Sequence, residues 1–417
     1  MSTSTLGAGT AARGSVTPLR PPSNLARTLA LFALALGSFC IGTSEFASMG
    51  IIQLFSASLG IDVPQATGAI TAYALGVVVG APVVTLAAAR LNRRTLLLAL
   101  MGLFVVGNLL SAVATNLPLL VVARFIAGLP QGAYFGAGAM VASYILGPGQ
   151  SGRAFAIVMT GLTVATIIGS PLATFLGQHL GWRETYVAVA ALSGVALLAI
   201  RQWLPRTEAL NGTPIVQELS ALRKGQLWGV MAVATTGIAS LFAVYTFIGP
   251  IVTDATHLAP VMIPVALAIF GIGMTVGNEF GGRLADSFPM RGIILGFGSA
   301  LFMLVIIALG GQNPWVLFPA LFVLGAGLMA SIPTMQVRLT RIAPEAPSLV
   351  GAMTLAACNL GNAVGAWGGG MTIDAGFGLL SPAWAGFALT LTGLAIFGVT
   401  LIGKRGQDAE VEMAKAA

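Results

Sequence analysis

Apolar residues fall in twelve long runs, each close to the ~20 residues a helix needs to cross a bilayer. Their limits are 28–53, 66–89, 95–115, 118–146, 154–178, 184–202, 227–252, 261–284, 292–311, 315–339, 349–373 and 383–403. Turn-forming residues punctuate them, as at Asp62-Val63-Pro64, Asn116-Leu117-Pro118, Gly147-Pro148-Gly149, Asn313-Pro314 and Ser381-Pro382. Membrane-crossing strands are about 10 residues long and alternate in polarity, a pattern these runs lack. The expected fold is all-α, a polytopic membrane protein with twelve transmembrane helices.

The longest polar connection, Leu204 to Gln226, divides the runs into two sets of six. The expected organisation is a disordered tail 1–26, a first six-helix half 27–203, a linker 204–226, a second half 227–403 and a closing tail 404–417. A weak internal repeat supports the division. Tyr73, Gly76 and Gly80 match Phe270, Gly273 and Gly277, and Phe125 and Gly128 match Phe322 and Gly325, all at one offset of 197 residues. Repeated halves around a midplane site are a common transporter plan.

The charges orient the chain. Arg90, Arg93 and Arg94 follow run two, Arg153 follows run four, and Arg206, Arg223 and Lys224 lie between runs six and seven. Arg291, Arg341 and the pair Lys404 and Arg405 follow runs eight, ten and twelve. The other side carries Arg183, beside Glu184. Positive residues mark the cytoplasmic side, so both termini are expected there, as an even number of spans also requires.

Composition agrees with a membrane protein: 56% hydrophobic residues, 8% charged, 54 glycines and a mean hydropathy of +0.92. Glycine is frequent in membrane helices because it lets backbones approach closely. The net charge of +7 does not indicate nucleic acid, since the basic residues sit in short loops between apolar runs. Cys40 and Cys358 lie inside apolar runs and read as small buried hydrophobes. The first residues, rich in Ser, Thr, Gly and Pro with Arg13 and Arg20, read as a tail and not as a cleavable signal peptide.

Against this background Glu45 stands out. An acid at the centre of a membrane helix costs roughly 2.5–3.5 kcal/mol on insertion scales and usually marks a proton or ion pathway. Ser38, Gly42, Ser48 and Met49 share its helix face, a small and polar stripe suited to the protein interior. Arg124 in run four continues through Gly128, Gln131 and Gly132 on a similar face. At ~1.5 Å per residue Arg124 lies roughly 9 Å below the outer surface and Glu45 about 27 Å above the inner one, within reach of each other. A nearby cation and desolvation push a carboxylate's proton affinity in opposite directions, which is how a titration is set near working pH. The two are therefore expected to be coupled as proton-handling residues, the alternative being two independent structural charges. Glu279, four residues before Arg283, reads more simply as a structural ion pair near the interface.

Tyr73, Gln131, Tyr134, Tyr245, Asn359 and Asn362 are the candidate substrate-lining groups, with Asn359 and Asn362 sharing one face of run eleven. They include no paired carboxylates, which favours a neutral, hydroxylated or moderately apolar substrate. Catalytic constellations are missing: there is no His/Cys metal spacing, no GxSxG elbow and no phosphate-cradling loop. Neither an enzyme nor an ATP-driven pump is expected. No cofactor is called for, and a proton gradient would supply the energy.

Several motifs resemble those of the major facilitator superfamily, over residues 27–403. Within it the chain is most similar to the twelve-span drug:proton antiporters, in the arabinose-efflux-permease-like branch. The run from Gly282 through Arg283 and Asp286 to Arg291 is similar to the superfamily's loop motif. The loop after run two keeps Arg90, Arg93 and Arg94 but has Ala89 where the family has Asp. Arg124, Gly128, Gln131 and Gly132 resemble the span-four motif, whose Arg is implicated in proton transfer. Gly161, Gly169, Ser170, Pro171 and Gly177 resemble the span-five antiporter motif, and Gly42 to Phe46 this branch's acidic signature.

The resemblance implies two pseudo-symmetric six-helix halves and proton-coupled export of a sugar, nucleoside or drug-like molecule across the inner membrane. Glu45 and Arg124 would couple to protons, while Arg90, Arg93, Arg94, Arg283, Asp286, Gly169 and Pro171 would serve gating. The partners implied are a small-molecule substrate, protons and the lipid bilayer, without nucleic acid, for a monomeric carrier. Import by proton symport and passive facilitation remain the alternatives.

Overall fold

The computed structural model describes residues 24–88, 90–147, 150–210, 223–287, 291–343 and 347–416. Most of the tail 1–26, Ala89 and the linker stretch 211–222 therefore lie outside the described residues. The described chain is helical, with no strand. The first six crossings are built from α1 (Asn24–Gly50), α2 (Ile52–Leu59), α3 (Val63–Ala87), α4 (Arg93–Ala112), α5 (Leu117–Gly128), α6 (Gln131–Leu146), α7 (Ser151–Val164), α8 (Ser170–Leu180) and α9 (Trp182–Trp203). The remainder follow as α10 (Gly225–Tyr245), α11 (Ile248–Pro250), α12 (Met262–Ser287), α13 (Arg291–Gly310), α14 (Pro314–Ile342), α15 (Pro347–Asp374) and α16 (Pro382–Ala416).

Among the described residues eleven helical segments are long and apolar enough to cross a membrane. The long helix not among them is α15, the eleventh crossing in chain order and 28 residues long, whose Asn359, Asn362 and many glycines make it more polar. It is shielded by packing between α3 and α10. Two expected limits need correction. Residues 24–26, placed in the first tail, already belong to α1. Residues 404–416, placed in the closing tail, continue α16, as their Ala, Glu, Lys and Met favour helix.

Four crossings are interrupted where the sequence removes a hydrogen-bond donor or a side chain. α1 ends at Gly50 and the chain bends at Ile51 before α2. Pro130 separates α5 from α6 because its ring lacks an N–H and crowds the preceding turn. Pro171 follows a π-helical turn, Ala165–Gly169, and Pro250 precedes another, Ile251–Ala255. Such turns absorb an unsatisfied backbone group inside a helix and are frequent at functional sites.

The sequence repeat has a packing counterpart. A Cβ on Gly76 would collide with the carbonyl of Phe125, and one on Gly273 with the carbonyl of Phe322. Glycine thus sets the closest approach of α3 to α5 and of α12 to α14 at equivalent positions. One apolar core fills the second set of helices and crosses into the first at the end away from Arg90 and Arg94. There it joins Phe46, Ile52, Phe55 and Trp182 to Phe242, Phe247 and Phe270. A separate core, around Leu34, Leu96, Phe104 and Tyr134, draws its buried side chains from before α10, with Leu355 of α15 packed against it. The two sets are thereby sealed together at one end of the bundle.

Replacing Gly76 or Gly273 with Val should each cost about 1–3 kcal/mol through overpacking. Thermal melting in detergent checks this: lower midpoints are expected for both, and unchanged midpoints would contradict the close approach.

Candidate proton and substrate site

Every residue of α1 from Cys40 to Gly50 is buried, so this stretch forms the centre of the bundle rather than a lipid-facing wall. Glu45 lies within it at 6% exposure. Its Oε2 accepts a 2.9 Å hydrogen bond from Gln131 Nε2, and its Oε1 a 3.3 Å bond from Asn362 Nδ2. Gln131 is the first residue of α6, directly after the Pro130 break, which aims its side chain at α1. Asn362 belongs to α15, so the carboxylate is gripped by both sets of helices.

Arg124 is fully buried on α5. Asn116 caps this helix, accepting from Leu119 N–H at 3.0 Å, and Pro118 stands in its first turn. The guanidinium donates to Ser44 Oγ at 2.9 Å and to the Ser44 carbonyl at 3.1 Å. Ser44 Oγ in turn donates to Asn108 Oδ1 at 2.6 Å. The rings of Tyr73 and Tyr186 flank the guanidinium, their centroids 4.4 and 5.1 Å from Cζ. Cation–π contacts of this kind reach about 2 kcal/mol when desolvated, which helps hold a charge that has no carboxylate of its own.

Glu45 and Arg124 therefore do not form an ion pair. They are joined by two routes: the backbone from Ser44 to Glu45, and the chain in which Tyr73 stacks on Arg124 and donates to Gln131 Oε1 at 2.7 Å. Gln131 then donates to Glu45. Each partner lost from such a network leaves a costly buried group, which holds its members in place.

The structure brings Gln131 and Asn362 to Glu45 directly, and Tyr73 through Gln131. Tyr245 adds an aromatic wall beside it, edge-on to Phe46 at 5.7 Å and to Phe270 at 4.9 Å. Asn359 lies one turn from Asn362, donating to the Leu355 carbonyl at 3.1 Å while its Oδ1 has no partner. Tyr134 stands apart. Its hydroxyl donates to the Leu34 carbonyl at 3.0 Å, about 16 Å along α1 from Glu45 at the helical rise.

The expected gating residues occupy other places. Arg90 is exposed, whereas Arg93 is buried at the start of α4. Arg94 donates to the Arg201 carbonyl at 2.5 Å, tying α4 to α9. Arg283 pairs with Glu279 at 3.2 Å on an exposed helix face, and the side chain of Asp286 lies outside the described residues. Gly169 sits against Thr43 and the Phe39 ring, with Pro171 just after the π-helical turn. Tyr186, which also reaches Ser48 Oγ at 3.0 Å, is a member of the network that sequence reasoning missed. Its signal was present: a tyrosine within a span must find a partner for its hydroxyl.

Membrane-crossing helices packed around a buried, internally hydrogen-bonded acid and a separate buried cation define a multi-span transporter. The sequence model of the Major Facilitator Superfamily matches residues 34–366, and the chain belongs to that superfamily. It is 36% identical over 368 residues to the inner membrane transport protein YdhP of Escherichia coli (strain K12), covering 87% of this chain and 94% of that one. It is 32% identical over 372 residues to a chloramphenicol resistance protein of Streptomyces lividans, covering 88% and 95%. Its fold matches the crystal structure of a bacterial homolog of the human lysosomal transporter Spinster, inward-facing and unoccupied, with a TM-score of 0.70 at 15% identity over 91% and 96% of the chains.

Tyr73→Phe deletes the donor to Gln131 and leaves a buried acceptor unpaired, a loss of about 1–3 kcal/mol. A lowered melting temperature of the purified variant is expected. Wild-type melting would show that this hydroxyl does not hold Gln131.

Proposed function

We propose that the protein is a proton-coupled exporter of a neutral small molecule, a sugar, nucleoside or drug-like compound, in the inner membrane. The observation that carries this reading is the placement of Glu45, a carboxylate in the bundle centre whose two oxygens are held by amide donors from opposite sets of helices. Amides stabilise the ionised form without fixing it as a partner cation would, so a proton can come and go. Arg124 sits close enough to bias that equilibrium through Ser44 and through the Tyr73–Gln131 chain. The name of one relative, a chloramphenicol resistance protein, agrees with transport outward, and that of another, an inner membrane transport protein, with the membrane.

In this reading the two halves rock about Glu45 as alternating access requires. The proton gradient is the energy source and no cofactor takes part. Tyr73, Gln131, Tyr245, Asn359 and Asn362 line the path of the substrate, whose hydroxyl or amide donors would meet the carboxylate and the Asn359 oxygen. Tyr134 belongs to the packing of the first half. The Arg-rich end, with Arg90, Arg93 and Arg94, is the cytoplasmic gate; both termini lie on that side, and one chain suffices as a monomer.

The test is substrate-induced proton movement in proteoliposomes, screening pentoses, nucleosides and amphenicols against wild type and Glu45→Gln. Proton movement with wild type and only background with the variant is expected. Undiminished proton-driven transport by Glu45→Gln would sink the mechanism.

A further inference from the structure

The hydrogen bonds between the two sets of helices differ in kind. At the sealed end Gln53 donates to Thr253 Oγ1 at 3.0 Å, and Gln178 to the Pro260 carbonyl at 2.8 Å. Both end on neutral groups, and Gln53 also reaches Asp254 Oδ2 at 3.4 Å, a carboxylate on the exposed surface and not in the buried centre. The bond from Asn362 to Glu45 ends on an acceptor that can itself be protonated.

Asn362 is well placed to transmit that change. It is 1% exposed. Its helix is locked to α10, where a Cβ on Gly361 would come within 2.6 Å of the Thr235 carbonyl, so Asn362 moves with the second set of helices. Its Oδ1 is buried without a partner. With Glu45 ionised, Asn362 Nδ2 makes a charge-assisted bond, roughly twice as strong as a neutral one. A proton on Glu45 removes the charge. The new O–H then needs an acceptor, and half a turn of the Asn362 amide would offer the idle Oδ1. The titratable groups that face Glu45 are Arg124 of α5, Tyr73 of α3, Tyr245 of α10 and Cys358 of α15. Of these, the tyrosines and the thiol have unperturbed pKa values above neutrality. The charge that changes at this contact is therefore that of Glu45.

Resting on the exporter reading above, we propose that Asn362 is the positioning residue that couples the charge of Glu45 to the closure of the two halves. The ionised, substrate-free carrier is held sealed by the Asn362–Glu45 bond. A proton on Glu45, which leaves only a weaker neutral bond, or a substrate donor replacing Asn362, loosens that hold. An antiporter needs this behaviour, because a carrier that reorients while empty dissipates the gradient.

The experiment uses Thr67→Cys as reporter in full-length protein whose Cys40 and Cys358 are replaced by Ala. Thr67 is buried at the seam of α3 and α15, its Oγ1 3.6 Å from where a Cβ on Gly370 would lie. Its labelling by a water-soluble maleimide therefore reads opening of the sealed end. Rates are normalised to the unfolded chain at each pH to remove the titration of the thiol itself. With Glu45 and Asn362 intact, labelling should rise by roughly threefold or more from alkaline to acid buffer, the scale of the difference between a charge-assisted and a neutral hydrogen bond. Glu45→Gln and Asn362→Ala should both label fast at every pH, and Asn362→Gln, which keeps a donor, should recover part of the pH response.

A full pH response in Asn362→Ala, with Glu45→Gln insensitive, overturns the role of Asn362 and leaves the exporter reading standing. Loss of response in both Asn362 variants with lowered melting temperatures overturns it as well, in favour of a structural role. The same pH response in Glu45→Gln as in the parent overturns the exporter reading, and the role of Asn362 with it.

Discussion

A charge inside a lipid-embedded bundle has to be solvated by the protein, and the arrangement of these helices follows from meeting that demand twice. Arg124 is solvated by Ser44 and two tyrosine rings, Glu45 by two amides. Adjacent residues of α1 thus serve opposite charges on two different faces of one helix. This is possible only where α1 is buried all round, which the small residues Gly42, Thr43, Ser44, Ala47 and Ser48 allow. The same demand explains the interruption at Pro130, since it delivers Gln131 at the start of a helix, beside the carboxylate.

Separating the two charges has a chemical consequence. A direct Arg–Glu pair in a dry interior would hold the acid ionised, and breaking it would cost several kcal/mol. Neutral donors leave the carboxylate free to change state, while the Tyr73–Gln131 chain keeps it in the field of the cation. The seal at one end of the bundle adds a mechanical element. Phe46 and Tyr245, immediately beside the acid, belong to the apolar core that joins the two sets of helices, so the proton site and the seal are contiguous.

Much of this was legible in the sequence. Twelve runs, a lone acid in the first and a lone Arg in the fourth follow from hydropathy alone, and the offset of 197 residues reappears as equivalent glycine contacts at Gly76 and Gly273. The depth estimate brought Glu45 and Arg124 within reach of each other but could not say which way each side chain turns. That depends on helix rotation set by distant packing, so the partner of Arg124 proved to be Ser44 rather than its neighbour. Tyr134 illustrates the same limit, since its hydroxyl finds Leu34, well away from the acid. The bond from Asn362 spans 317 residues of sequence, and no local pattern specifies it. The helix interruptions were only partly visible: Pro130, Pro171 and Pro250 mark them, but Pro82 and Pro319 lie within continuous helices.

The central claim is that Glu45 exchanges a proton within the folded bundle. Infrared difference spectroscopy between acid and alkaline buffer tests it most directly, because a protonated carboxyl absorbs apart from carboxylate and amide groups. The account predicts a protonated-carboxyl band that appears on acidification of the wild type and is missing from Glu45→Gln. The same band at full intensity in the variant would contradict it.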